Sequence, residues 1–281
     1  AANAAGIPFT DGIIPRFVIL LGGLLICISY VMFYAHRVKT DPSKSAVAKQ
    51  FEEHKTLFLK RQASENHSDA LTRTQMVVLV LFGITFAVMI WGVSSQGWWM
   101  AQMGALFLGA AIAIGIIARL GEKKITNNFV DGARELLGVA LVVGLARGIV
   151  VIMENGLIAD TLLHSAAGAL DGLGGLTFVN LMFWIEVVMS FLVPSSSGLA
   201  VLSMPILAPL ADFASVGRDL VVTAFQSANG LVNLINPTFA VVVGGLAIGR
   251  VSYDRWLVFI WPLLLILTIF ISVVLSISTL L

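Results

Sequence analysis

The chain alternates between long apolar runs and shorter polar interruptions, and the interruptions are of two kinds. At the first kind charges cluster, and the runs between the clusters have the length of membrane spans: Ile13 to Tyr34, 76–93, 100–118, 136–153 and 256–280. A helix needs about 20 apolar residues to cross a bilayer. These runs are continuous and rich in Leu, Val, Ile, Ala and Gly, whereas the strands of an outer-membrane barrel alternate in polarity. The spans are therefore predicted to be helices.

The second kind of interruption lies inside apolar sequence. Phe191 to Asp212 reads FLVPSSSGLAVLSMPILAPLAD: Val193 and Pro194 end one run, Ser195, Ser196, Ser197 and Gly198 follow, and a second run holds Pro205 and Pro209. Each run is short for a crossing, and irregular backbone is tolerated at membrane depth only where protein or a water-filled cavity covers it. The pattern predicts a re-entrant helical hairpin over 176–213 with a serine tip. The stretch 220–248 is long enough to cross, but its centre carries Gln226, Ser227, Asn229, Gly230, Asn233, Asn236, Pro237 and Thr238. Apolar helix, polar segment, apolar helix is the pattern of a broken membrane helix.

Charges orient these elements. Residues 36–75 hold eight Lys or Arg and five Asp or Glu, and such basic loops stay on the cytoplasmic side. Within this loop, 45–62 reads either as an amphipathic surface helix or as a solvated linker. Arg119, Lys123, Lys124, Arg250 and Arg255 mark the same side, while Gln96 to Trp99 form an outer turn with interfacial aromatics. Thr126 to Glu135 and Ile158 to Leu170 are expected to be short amphipathic helices at the interface.

Composition agrees: 58% of residues are hydrophobic and 12% charged, with a mean hydropathy of +0.95. This is an all-α, polytopic transmembrane bundle in contact with the lipid bilayer. The net charge of +1 gives no basis for nucleic acid as a partner. Cys27 is the single cysteine, so no intrachain disulfide forms. No GxxxxGK[ST] loop is present, and the residues suggest no organic cofactor. The opening AANAAGIPFT lacks the features of a signal peptide and reads as cut from something longer.

A helix that stops at membrane depth leaves amide donors at one half-helix start and carbonyl acceptors at the other end. The donors suit a small-molecule carboxylate, and carbonyls with hydroxyls suit a hard cation such as Na+. The hairpin tip offers Ser195, Ser196, Ser197 and Gly198 to substrate, and the broken helix offers Asn229, Asn236, Pro237 and Thr238. Ser196, Ser227, Asn229, Gly230 and Asn233 are the candidate ion ligands. Any one such residue could equally be interhelical glue worth about 0.6 to 2 kcal/mol. Six within thirteen residues, broken by Gly230 and Pro237, are harder to read that way.

Arg147 and Glu186 are costly in lipid and should face protein or water. Arg147 is a candidate for a salt bridge or a substrate carboxylate, and Glu186 for a salt bridge or for proton or cation coupling. Asp160 and His164 read as an interfacial pair, because no third ligand of a metal site lies near in sequence. Two other classes fit parts of the pattern: a passive channel or structural membrane subunit, and an intramembrane serine protease with a nucleophile among Ser195 to Ser197 and His164 as its base.

FLVPSSSGLAVLSMPILAPLAD, followed by AFQSANGLVNLINPT and preceded by LGVALVVGLARGIVVIMENGLI, resembles the YfcC-type transporters. These are similar to arginine/ornithine antiporters and anaerobic C4-dicarboxylate carriers of the ion-transporter superfamily. The resemblance implies a secondary transporter, not an enzyme, in the bacterial inner membrane, moving amino acids or C4-dicarboxylates by sodium coupling or exchange. It also implies two inverted repeats, each with a hairpin and a broken helix, and a homodimer. Residues 1–35 would then be the end of a first repeat with a scaffold span, and 76–281 the second repeat, whose partner is an N-terminal repeat missing from this chain. Asn3, Ala4, Gly6, Pro8, Phe9 and Thr10 resemble the first repeat's broken helix. Ser196 where many relatives carry Gly, and Asn236 where a hydrophobic residue is usual, add polar groups to the implied site.

Overall fold

A computed structural model describes residues 1–8, 10–48, 71–98 and 100–280. The expected helix at 45–62 lies largely outside them. The described residues form helices and no strand. The helices are α1 (Ala2–Ala5), α2 (Ile13–Thr40), α3 (Arg73–Gln96), α4 (Met100–Ile117), α5 (Glu122–Asn155), α6 (Ile158–Leu170), α7 (Gly175–Leu192), α8 (Ser196–Phe213), α9 (Arg218–Val232), α10 (Ala240–Gly249) and α11 (Tyr253–Leu280). Of these, α2, α3, α7, α8 and α11 are long and apolar enough to cross a membrane. The protein is a multi-pass helical membrane protein.

The chain divides into two units, Ala1–Lys49 with Leu137–Leu281, and Gln50–Leu136. The smaller unit is built on α3 and α4. Thr72 and Gln75 cap the start of α3 reciprocally, with the Gln75 amide donating to Thr72 Oγ1 and the Thr72 amide to Gln75 Oε1, which satisfies two of the helix's orphan donors. Gly97, at φ 64°, ends it in the left-handed conformation that glycine adopts without strain. Phe86 joins the two helices, with Phe82 at 4.9 Å on its own helix and Phe107 at 5.6 Å across.

The larger unit holds the core. Helix α9 packs most extensively on α7; α11 lies against α2, α7 and α9; and α8 contacts α6, α7, α9 and α1. Phe178, Met182, Phe183, Leu199, Met204, Leu207 and Val221 are fully buried there. Small residues set the closest approach: the Phe270 ring of α11 occupies the place a side chain at Gly22 of α2 would need. Arg218 grips Asp212 with two nitrogens (2.6 and 3.0 Å) and donates to the Ala5 carbonyl at 3.1 Å. That cation holds α1 against the C-terminal end of α8, away from the turn that joins it to α7.

Several boundaries differ from the sequence reading. The amphipathic helix expected at 126–135 and the span expected at 136–153 are one helix, α5, because no helix-breaking residue stands where Glu135 meets Leu136. The first span continues past Tyr34 to Thr40, since His36, Arg37 and Lys39 are tolerated in a final helical turn beyond the apolar stretch. The run at 199–213 begins three residues earlier, at Ser196, and passes Pro205 and Pro209 without ending. At about 1.5 Å per residue, the 18 residues each of α7 and α8 reach about 27 Å; α7 has the length read from sequence and α8 is longer.

Candidate functional site

The turn of the hairpin is Val193 to Ser195, beginning two residues before the serine run. Ser195 is the N-cap of α8, its hydroxyl accepting the Gly198 amide at 3.2 Å, while Ser196, Ser197 and Gly198 already belong to the helix. The reason is local chemistry. Val193 and Pro194 stop α7, and the first serine after the proline is the natural cap. A Cβ at Gly198 would lie 2.9 Å from Ser195 Oγ, so a side chain there would shift the cap hydroxyl.

The break in the second helix is also shorter than its polar content suggests. Gln226, Ser227, Asn229 and Gly230 are still helical within α9, and the chain leaves the helix only from Asn233 to Phe239. Asn236 organises the break. Its Oδ1 accepts the Thr238 amide at 2.9 Å and the Thr238 hydroxyl at 2.6 Å, and its Nδ2 donates to the Phe191 carbonyl at 3.2 Å, in the last turn of α7. The side chain is 1% exposed. Further back on α9, Asn229 Nδ2 donates to Ser190 Oγ at 3.4 Å and Asn233 Nδ2 donates to Asn229 Oδ1 at 3.2 Å. A chain of amides and hydroxyls thus ties the end of α7, beside the hairpin turn, to the break between α9 and α10.

Two of the carbonyls freed at the break are occupied. Tyr253 donates its hydroxyl to the Ile235 carbonyl, and the Trp256 indole N–H donates to Leu234 O at 2.8 Å. A cation at the break would therefore draw on side-chain oxygens more than on these two carbonyls.

The candidate ion ligands do not all converge. Asn229 bonds to α7, with Asn233 behind it, whereas Ser227 and Gly230 line a cavity of about 430 Å³ on another side of α9, together with Arg16 and Thr223. Ser227 donates back to the Thr223 carbonyl at 2.7 Å, and Arg16 Nε donates to Thr223 Oγ1 at 3.3 Å. Among the described residues, Arg16 is the one charged residue lining this cavity. Sequence reasoning passes over it, because it reads as a span-flanking cation, although its place in the first turn of α2 is an available signal.

Glu186 is completely buried on α7, and among the described residues neither carboxyl oxygen has a hydrogen-bond or ion-pair partner. Arg147 lies in α5, with its side chain outside those described. His164 and Asp160 are exposed on α6, and no hydrogen bond joins His164 to the tip serines among the described residues.

The C4-dicarboxylate anaerobic carrier family model, DcuC, matches residues 1–280. An uncharacterized protein of Haemophilus influenzae is 40% identical over 264 residues, covering 94% of this chain and 52% of that protein. A protein of Escherichia coli named "Putative basic amino acid antiporter YfcC" is 34% identical over 268 residues, covering 92% of this chain and 52% of that protein. The chain spans about half the length of the curated relatives it matches. No solved structure matches it. With a helical membrane architecture, a helix pair joined at a capped serine and a broken helix bonded to it, the chain belongs to the DcuC C4-dicarboxylate carrier family.

Proposed function

We propose that this chain is the second repeat of a secondary carrier that moves small carboxylate-bearing solutes, amino acids or C4-dicarboxylates, across the bacterial inner membrane. The carrier works as a homodimer, with Na+ coupling or solute exchange as its energy source. The observation that carries this reading is the junction between hairpin and broken helix, where Asn236 bonds Phe191 and Asn229 bonds Ser190. A re-entrant hairpin fastened to a helix break through neutral amides can open and close with little electrostatic cost. The amides and hydroxyls of Asn229, Asn233, Asn236 and Thr238 supply neutral oxygens for Na+, and neutral cages release an ion more readily than acidic ones.

Arg16 supplies the positive charge that a carboxylate needs, on the cavity lined by Gln226 and Ser227. C4-dicarboxylates, named for the family, and basic amino acids, named for the Escherichia coli relative, share a carboxylate, and this supports a common anchor of that kind.

Counterflow in proteoliposomes of the full-length protein tests the reading. Vesicles loaded with unlabelled succinate or arginine should transiently accumulate the labelled solute, with a saturable rate that rises with sodium and loses that dependence in Asn229→Ala. Arg16→Gln should weaken solute affinity by about 10- to 100-fold, the equivalent of one hydrogen bond to a charged group. Linear, unsaturable flux without counterflow would replace the carrier with a passive channel.

A further inference from the structure

The carboxyl of Glu186 and the hydroxyl of Ser203 sit on the two arms of the hairpin, α7 and α8, both 0% exposed. Neither carboxyl oxygen of Glu186 nor Ser203 Oγ has a hydrogen-bond partner among the described residues, although the two arms pack against each other. The elements packed on α7 carry few charges, and these lie at helix ends. On α8 there is Asp212, paired with Arg218 and, at about 1.5 Å per residue, about 13 Å along the helix from Ser203. On α9 there are Arg218 itself and Asp219, in its first turn. On α11 there are Tyr253, Asp254 and Arg255, in its first turn; since Ser276 of α11 bonds Asn180 of α7, these lie far along α11 from the level of Glu186. On α6, Asp160 and His164 are exposed. None of these groups is a hydrogen-bond partner of Glu186 among the described residues, and Arg218 and Arg255 pair with Asp212 and Asp254 instead.

An ionised carboxylate enclosed this way, without a cation or a set of donors, is among the most expensive arrangements a protein can hold. Two chemistries relieve it. A hard metal cation would need about six oxygens, and Glu186 with Ser203 brings three. A proton needs one. We propose that Glu186 is a proton-binding site closed between the hairpin arms, its carboxyl holding the acidic hydrogen with Ser203 as the buried hydroxyl of the facing arm. Opening of the hairpin lets water reach the carboxyl; the O–H bond breaks, the proton passes to water, and a carboxylate is left that must recapture a proton before the arms close. The hairpin is then a proton-linked gate, and each transport cycle that opens it exchanges a proton with one side of the membrane. This linkage rests on the carrier reading, whereas the proton occupancy of Glu186 does not.

Infrared difference spectroscopy on the full-length protein at pH 7 tests the occupancy. The wild type should show the C=O stretch of a protonated carboxyl that is absent in Glu186→Gln and displaced in frequency in Ser203→Ala, which removes the neighbouring hydroxyl but keeps the acid. Glu186→Gln is isosteric with the protonated form, and its melting temperature should match the wild type. A wild-type spectrum without such a band, or a band that survives in Glu186→Gln, overturns the proposal. In proteoliposomes, a pH gradient across the membrane should raise net succinate or arginine accumulation by about tenfold per pH unit for one proton per solute, and Glu186→Gln should abolish that response. If wild-type counterflow is present but accumulation ignores the pH gradient, the proton-linked gate is wrong and the carrier stands. If wild-type counterflow is absent while the infrared band is present, the carrier reading fails and the protonated site stands.

Discussion

Helix α2 and the α7–α8 pair put similar compositions to opposite uses. Both are apolar enough to cross a membrane, and α2 is the more apolar, yet no residue of α2 is buried, whereas Phe178, Met182, Leu199, Met204 and Leu207 of the pair are sealed. In a membrane protein hydrophobicity marks what lipid accepts. It does not mark the core, because lipid tails are as apolar as leucine and give no drive for helices to associate. The less apolar helices carry the interior, since Ser190, Ser203, Glu186, Thr223, Asn229 and Asn236 are all buried on or beside them.

Single substitutions probe that contrast, each read as a change in unfolding midpoint in mild detergent. Leu207→Ala, fully buried in α8, should cost the most, about 3 kcal/mol for lost contacts and a cavity. Asn236→Ala should follow at about 2 kcal/mol, because it strands the Phe191 carbonyl and the Thr238 donors in a buried junction. Gly22→Leu should cost about 2 kcal/mol by forcing the Phe270 ring out of the α2–α11 contact, which would show that α2 is held by close approach and not by burial. Ser195→Ala should remove about 1 kcal/mol with the cap of α8. The smallest effect belongs to Leu21→Ala on the exposed side of α2, within about 0.5 kcal/mol. If Leu21→Ala costs as much as Leu207→Ala, that side of α2 is covered in the folded molecule and the contrast fails.

Much of this is legible in the chain. The serine run after Pro194 and the Asn-rich stretch to Thr238 announce a helix pair and a broken helix, because proline and clustered polar residues end helices even inside apolar sequence. The limits of the break are not legible. Four residues, Gln226, Ser227, Asn229 and Gly230, look like part of it but stay helical, since back-bonding as in Ser227 to Thr223 and side-chain pairing as in Asn229 to Ser190 satisfy polar groups without unwinding. The continuity of α5 is hidden in a similar way: Asp131, Arg134 and Glu135 suggest a surface, and a helix can pass from polar to apolar surroundings without stopping.

Arg16 and Ser203 mark the other limit. Each is one polar residue in an apolar run, and nothing in its neighbours along the chain says what it meets. Helicity, membrane embedding and the approximate places of the spans follow from residue order alone, because bilayer thickness, proline and charge act locally on the chain. That Asn236 reaches Phe191, that Arg16 reaches Thr223 and that Glu186 and Ser203 are sealed on the two hairpin arms are matters of packing. They depend on which face of each helix is turned inward, and that is set by contacts between segments such as those 45 and 207 residues apart.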